Sequence, residues 1–92
     1  MTWSVKFSNQ AKKQLAAIDK RQRLFIEHWL IENLEGCENP RAVHGSKQIK
    51  GHPNGWRYRV GSYRILCELL DGELVIKVIR VGHRQGVYRN LN

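Results

Sequence analysis

The sequence predicts an α+β domain in the order β-α-α-β-β-β, with two N-terminal helices packed on a small, mainly antiparallel sheet and a short C-terminal helical turn. The chain opens on a period-two segment and continues through two stretches of helical period. It then runs through three strand-like segments separated by tight-turn dipeptides. Its 92 residues suffice for one modest core, and no repeat, low-complexity run or linker divides them, so residues 1–92 read as a single domain.

Thr2–Phe7 sets Trp3, Val5 and Phe7 against Thr2, Ser4 and Lys6, the alternation of a half-buried strand. Ser8 is placed to N-cap a helix over about Asn9–Ile18, whose apolar stripe is Ala11, Leu15 and Ile18. Asp19 breaks that helix and caps a second, about Lys20–Leu34. The second helix is apolar over most of its circumference. Leu24, Leu30, Ile31 and Leu34 form one arc and Phe25, Ile26 and Trp29 another, leaving a narrow polar stripe of Arg21, His28, Glu32 and Glu35. Two arcs imply two apolar neighbours, the sheet for one and the first helix or a bound partner for the other. Gly36 is expected at the C′ position.

Glu38–Gly55, rich in Gly, Pro, Asn and His, reads as a long connection that ends on an Asn54-Gly55 turn. Trp56–Val60, Tyr63–Leu69 and Glu73–Val81 are then strands joined by Gly61-Ser62 and Asp71-Gly72. Connections this short make them antiparallel neighbours. Gly82 ends the last strand, and Val87–Leu91 is expected to form one turn of helix.

A formal charge of +8 and a pI near 10.0 point to a polyanionic partner: nucleic acid, an acidic membrane surface or an acidic protein. Residues 1–46 hold seven Lys/Arg and five Asp/Glu, a net of +2, whereas residues 47–92 hold nine and three, a net of +6. The basic face therefore belongs to the strand-rich half. Cys37 and Cys67 form neither a CxxC pair nor a disulfide framework, and Cys67, inside an apolar strand, reads as a core residue. No signal peptide precedes the first strand, and no apolar run approaches the ~18–20 residues of a membrane span. A cytoplasmic, reduced setting with no membrane partner is the expectation. The four histidines and two cysteines lack HxxxH or CxxC spacing, so no metal and no cofactor are expected.

Function concentrates in the stretch GWRYRVGSYRILCELLDGELVIKVIRVGHRQGVYR. Arg57 and Arg59 alternate with Trp56, Tyr58 and Val60, so both guanidiniums leave one face of the strand and the aromatics the other, toward the core. Arg64, Arg80, Arg84 and Arg89 follow within the same strands and their exit. On pattern alone, phosphate clamps and ordinary solvated charges both fit Arg57, Arg59 and Arg64. Arg80 and Arg89 read as plain surface or protein-binding charges. His28 is a solvated helix residue, and His44 and His52 are loop residues for which RNA proximity and a neutral role both stay open. Lys47 and Lys50, flanking Ile49, suit nonspecific phosphate or partner binding as well as a solvated loop.

The segments KQIKGHPNGWRYRVGSYRILCEL and LVIKVIRVGHRQGVYRN resemble the RelE/ParE superfamily of bacterial toxin–antitoxin toxins. The combination of W-R-x-R-V-G-x-Y-R-I with V-G-H-R and a following V-Y-R is closer to its RelE-type mRNA interferases. The two segments cover under half of the chain, and the helical half matches in pattern only. The resemblance implies a RelE-like toxin domain with ribosome-dependent endoribonuclease activity on mRNA in the A site of the 70S ribosome. It also implies a cognate antitoxin as partner, and contact with operator DNA only indirectly, through that antitoxin. Residue by residue, it carries the active surface onto Arg57, Arg59, Arg64, Arg84 and Tyr88. Two other classes stay open beside it: a ParE-like DNA gyrase inhibitor, and an inactive relative that only binds antitoxin as a co-repressor.

Metal-free RNA cleavage requires that the 2′-oxygen lose a proton, that the charge of the transition state be stabilised, and that the 5′-oxygen leave protonated. Arginines suit the second task, because each presents a planar fork of permanently charged donors. They cannot act as the base. Some RelE relatives carry lysines where this chain has Arg57 and Arg59, so a base role does not carry over to those positions. His83, inside G-H-R, is the one conventional base within the motif, and Tyr88 as a tyrosinate is the other candidate.

Overall fold

Two side-chain oxygens start the helices. Ser8 Oγ accepts from the Ala11 N–H at 3.0 Å and Asp19 Oδ1 from the Gln22 N–H at 3.2 Å, satisfying amides that have no partner within the first turn. A computed structural model describes residues 1–89, and in it these caps open α1 (Asn9–Ala17) and α2 (Lys20–Asn33). Before them lies β1 (Ser4–Phe7). After them come a 3₁₀ turn (Pro40–Ala42), β2 (Ser46–Gln48), β3 (Gly55–Val60), β4 (Tyr63–Leu70) and β5 (Val75–His83).

The five strands form one sheet in the order β1-β5-β4-β3-β2. β1 runs parallel to β5, and the other pairs are antiparallel. One face carries α1 and α2 over a core that includes Ile26, Leu30, Tyr58, Ile65, Cys67 and Ile76. Where β1 stops at Phe7, α1 continues the edge of β5. Ser8 Oγ donates to the Ile79 carbonyl at 3.1 Å, and Gln14 Oε1 accepts from the Val81 N–H at 2.8 Å.

The predicted α+β architecture is the observed one, with local corrections, among them that β5 runs through Gly82 to His83. Within Glu38–Gly55 the chain forms a short fifth strand, β2. Its three residues are exposed or half-exposed at the sheet edge and so show no apolar alternation. The Asp71-Gly72 turn is a four-residue connection closed by Glu73 N–H to Leu70 O and Leu74 N–H to Asp71 O, so β5 starts at Val75. Gly36 lies two residues beyond the α2 cap residue Leu34, at φ 79°, and its N–H bonds the Trp3 carbonyl at 2.8 Å. Residues 84–89 form turns in place of the expected helical turn, whose last residues, 90 and 91, lie outside the described part.

The two arcs predicted for α2 also divide differently. Residues four apart advance only ~40° around a helix, so Ile26, Leu30 and Leu34 share the buried side. Leu24, Phe25 and Ile31 are 51%, 56% and 66% exposed, on the outer side.

Candidate active site

Strand alternation and register assemble the basic face. Arg59 stands directly opposite Arg64, and Arg57 lies between Lys47 on β2 and Leu66 on β4. Tyr58, on the other side of β3, is fully buried beneath α2, with its ring 5.8 Å from that of Trp29 and its hydroxyl donating to the Pro40 carbonyl at 2.7 Å. Trp56 is half-buried on the same side, with the Arg41 guanidinium 5.5 Å from its ring centroid. Gly61 at φ 61° turns the β3–β4 hairpin, an arrangement that suits a two-residue loop with glycine first.

A bulge then shapes β5. Cys67 faces Val78 and Leu66 faces Arg80, which leaves Ile79 as the extra residue. Val78 and Val81 both reach the helix-side core, while Ile79 joins Leu66, Ile49 and Val87 in a second apolar cluster on the arginine face. This small cluster is the floor on which the basic residues stand.

Arg64 is the centre of the charge. Its Nη1 donates to the carbonyls of Tyr63 at 2.9 Å and Gly61 at 3.2 Å, so the guanidinium is held against the hairpin. Partial desolvation, followed by the charges of Arg59, Arg57 and Arg84, pushes it below its usual pKa, while Tyr88 acts in the opposite direction. Arg57, Arg59, Arg84 and Tyr88 are thus all within electrostatic reach of one side chain. Among the described residues, no carboxylate pairs with Arg57, Arg59, Arg64 or Arg84; the ion pairs there are His28–Glu32 and Arg41–Asp71.

Beside this cluster lies a groove of about 370 Å³, lined by Lys47, Gln48, Ile49, Lys50, His52, Arg57 and Tyr88. Lys47, Lys50, Arg57 and Tyr88, each singled out on its own in the sequence, therefore line one depression. His52 joins them through a tight loop. The His52 N–H bonds the Ile49 carbonyl at 3.1 Å, and the Gly55 N–H bonds the His52 carbonyl at 2.9 Å. A Cβ on Gly55 would come within 2.8 Å of His52 Cβ, so this loop requires glycine at 55. The sequence offers His52 only as a loop residue, near RNA or neutral; the closed loop places it on the wall of the groove that Arg57 and Tyr88 also line.

His83 is placed elsewhere. It pairs across the sheet with Tyr63, and their rings stack at 4.5 Å and 26°, whereas Arg64 pairs with Gly82 one residue along. Alternation puts the Tyr63–His83 pair on the side opposite Arg64. Arg57, Arg59, Arg84 and Tyr88 thus lie within electrostatic reach of Arg64, with Arg57 and Tyr88 also lining the groove, whereas His83 sits on the opposite side of the sheet against Tyr63. Among the described residues, no three His, Cys, Asp or Glu side chains form a metal-sized cluster.

The model of the ParE toxin family of type II toxin–antitoxin systems (parDE) matches residues 5–88. The chain belongs to the RelE/ParE toxin family. Among individual relatives it is similar to Toxin RelE3 of Methanocaldococcus jannaschii, with 35% identity over 75 residues that span 77% of this chain and 74% of the relative. The fold agrees with the RelB–RelE antitoxin–toxin complex from Methanococcus jannaschii at a TM-score of 0.63 and 30% identity, covering 95% of this chain and 99% of the other. The intact E. coli RelBE toxin–antitoxin complex gives 0.72 at 25% identity, covering 90% and 98%. The family model carries the ParE name while these relatives are RelE toxins. The relatives are the finer guide, because they match individual sequences and whole folds. This RelE-type toxin therefore presents an arginine cluster and an adjoining groove on the sheet face away from its helices.

Proposed function

We propose that this toxin is a ribosome-dependent endoribonuclease that cuts mRNA in the A site of the 70S ribosome and so stops translation. The reading rests on the gathering of Arg57, Arg59 and Arg84 around Arg64, with no carboxylate among them, beside a groove that holds Tyr88. Four like charges in reach of one another are unfavourable until an anion lies between them, and a phosphate supplies that anion. In the reaction, the 2′-hydroxyl loses its proton and its oxygen attacks the adjacent phosphorus. The P–O5′ bond then breaks, leaving a 2′,3′-cyclic phosphate and a 5′-hydroxyl. The arginine forks bind the non-bridging oxygens and favour the extra charge of the transition state.

Arginine does not take the proton. The imidazole that lines the groove is His52, and it serves as the base in this scheme; Tyr88 stacks on a base or protonates the leaving oxygen. Each step is served by a side chain, so the scheme is written without a metal. Lys47 and Lys50 bind flanking phosphates. A cognate antitoxin neutralises the toxin, as the antitoxin complexes of its structural relatives support. Exposed Leu24, Phe25 and Ile31 are the kind of apolar surface such a protein covers. Operator DNA is reached only through the antitoxin, and the site of action is the cytoplasm, where ribosomes are.

Cleavage by purified variants in a translating extract tests the scheme. Arg64→Ala is expected to slow cleavage about 10²-fold, the usual cost of losing one preorganised charge donor. Arg84→Ala is expected to abolish growth arrest while antitoxin binding persists; loss of both indicates an interface role. The ParE name of the family model favours a second reading, gyrase inhibition. DNA-damage signalling with translation continuing after induction would support it.

A further inference from the structure

The turn that carries Tyr88 is held by a residue that the motif leaves aside. Arg80 stands opposite Leu66 on the arginine face, and its Nη1 donates to the Val87 carbonyl at 3.2 Å and to the Arg89 carbonyl. Those two carbonyls flank Tyr88 in sequence. Among the described residues the turn is also closed by Gly86 N–H and Val87 N–H to the His83 carbonyl at 3.1 and 3.0 Å and Arg89 N–H to Gly86 O at 3.2 Å, and its first residue is tied to the β3–β4 hairpin by Arg84 N–H to Ser62 O at 3.4 Å. Beneath it Val87 is 5% exposed and packs with Leu66, Ile49 and Ile79. Gly82 gives the turn its close approach, since a Cβ there would meet Val87 Cβ at 3.4 Å.

We propose that Arg80 is a positioning residue, whose grip on the carbonyls either side of Tyr88, together with the buried Val87, fixes the phenol at the wall of the groove beside Arg57 and His52. Tyr88 is 39% exposed there, and where its ring meets the groove is set by the backbone that carries it. A charged guanidinium reaching two carbonyls restrains that backbone before RNA arrives, and lost freedom in a reacting group is a large part of a catalytic barrier. Both bonds leave one nitrogen held on a planar group, and a lysine ammonium on its flexible stem holds the turn less firmly. The inference rests on the reading of Tyr88 as part of the reacting groove.

Two readouts test it. In the free toxin, amide hydrogen exchange at Val87–Arg89 should rise about tenfold or more in Arg80→Ala, and less in Arg80→Lys, while β3 and β4 amides stay protected. Unchanged exchange in that turn overturns the proposal. On programmed ribosomes, Arg80→Ala should lower the cleavage rate constant about tenfold with little change in KM, and Arg80→Ala/Tyr88→Phe should be no slower than Tyr88→Phe alone. Multiplying effects would mean that Arg80 acts on the RNA itself, and would overturn it. Should Arg80→Ala fail to fold, Arg80→Lys gives both readouts at smaller amplitude. If the wild-type toxin leaves transcripts intact, the nuclease reading falls, while the exchange measurement still decides whether Arg80 holds the turn.

Discussion

An arginine directly across a strand pair from another arginine costs free energy, yet Arg59 and Arg64 face each other here with Arg57 and Arg84 close by. Such an arrangement suits a ligand that brings its own negative charge. The proton chemistry separates two histidines by position: His52 lines the groove, and His83 stacks on Tyr63. His52→Gln is expected to slow cleavage about 10²-fold and His83→Gln no more than about twofold, measured as single-turnover rate constants on ribosomes. Below the sheet, burial followed by the Coulombic influence of Cys67 and Cys37 raises the Tyr58 pKa, and burial raises that of Cys67. A raised folded-state pKa means stability that is complete below the unfolded value and declines as pH rises toward the folded one. Urea midpoints should therefore fall above about pH 8.5, where an unfolded cysteine ionises, and more steeply above about pH 10, where an unfolded tyrosine does, and Tyr58→Phe should flatten that second, steeper part. At neutral pH the same substitution removes the bond to the Pro40 carbonyl, at a cost of about 0.5–1.5 kcal/mol.

At the scale of elements, the groove depends on how β2 is tied to β3. Lys47 faces Arg57 across that pair, and the connecting loop folds tightly enough that Gly55 is required beneath His52. Gly55→Ala is expected to cost about 1–3 kcal/mol in denaturant titrations and to reduce cleavage with it, because the loop must move to admit the methyl group. The α1–β5 link predicts a second effect. Gln14→Leu strands the Val81 N–H and is expected to destabilise the fold by about 1–3 kcal/mol. β3 was legible in the sequence as an arginine–aromatic alternation and β4 and β5 as mainly apolar runs, each set off by glycine turns. The cap residues Ser8 and Asp19 marked both helix starts. β2 was not legible, since a three-residue edge strand rich in polar groups has no period to read. The outward Leu24 and Ile31 were grouped with buried Leu30 and Leu34 because an apolar count ignores which side the sheet occupies. Within the site, the arginines and Tyr88 were legible through strand alternation and the family motif. The placement of His52 and Arg80 was less so, because it depends on a loop closure and a bulge that bring distant segments together.

For the molecule as a whole, the sheet separates two unlike surfaces. The face away from the helices carries the arginine cluster and the groove, while the helical side leaves Leu24, Phe25 and Ile31 uncovered. Binding to single-stranded RNA should weaken with salt, with a log–log slope of about −0.7 for each phosphate neutralised, and Arg57→Ala or Arg59→Ala should each reduce that slope by about one contact. Among the described residues no helix is long and apolar enough to cross a membrane. The most direct test of a ribosome-dependent nuclease is to map transcript 5′ ends in a translating extract, with initiation either allowed or blocked. New ends within codons that appear only while ribosomes translate, and disappear with Arg64→Ala, are the predicted result. Intact transcripts in the presence of folded toxin and active ribosomes, or equal cleavage of naked RNA, would contradict it.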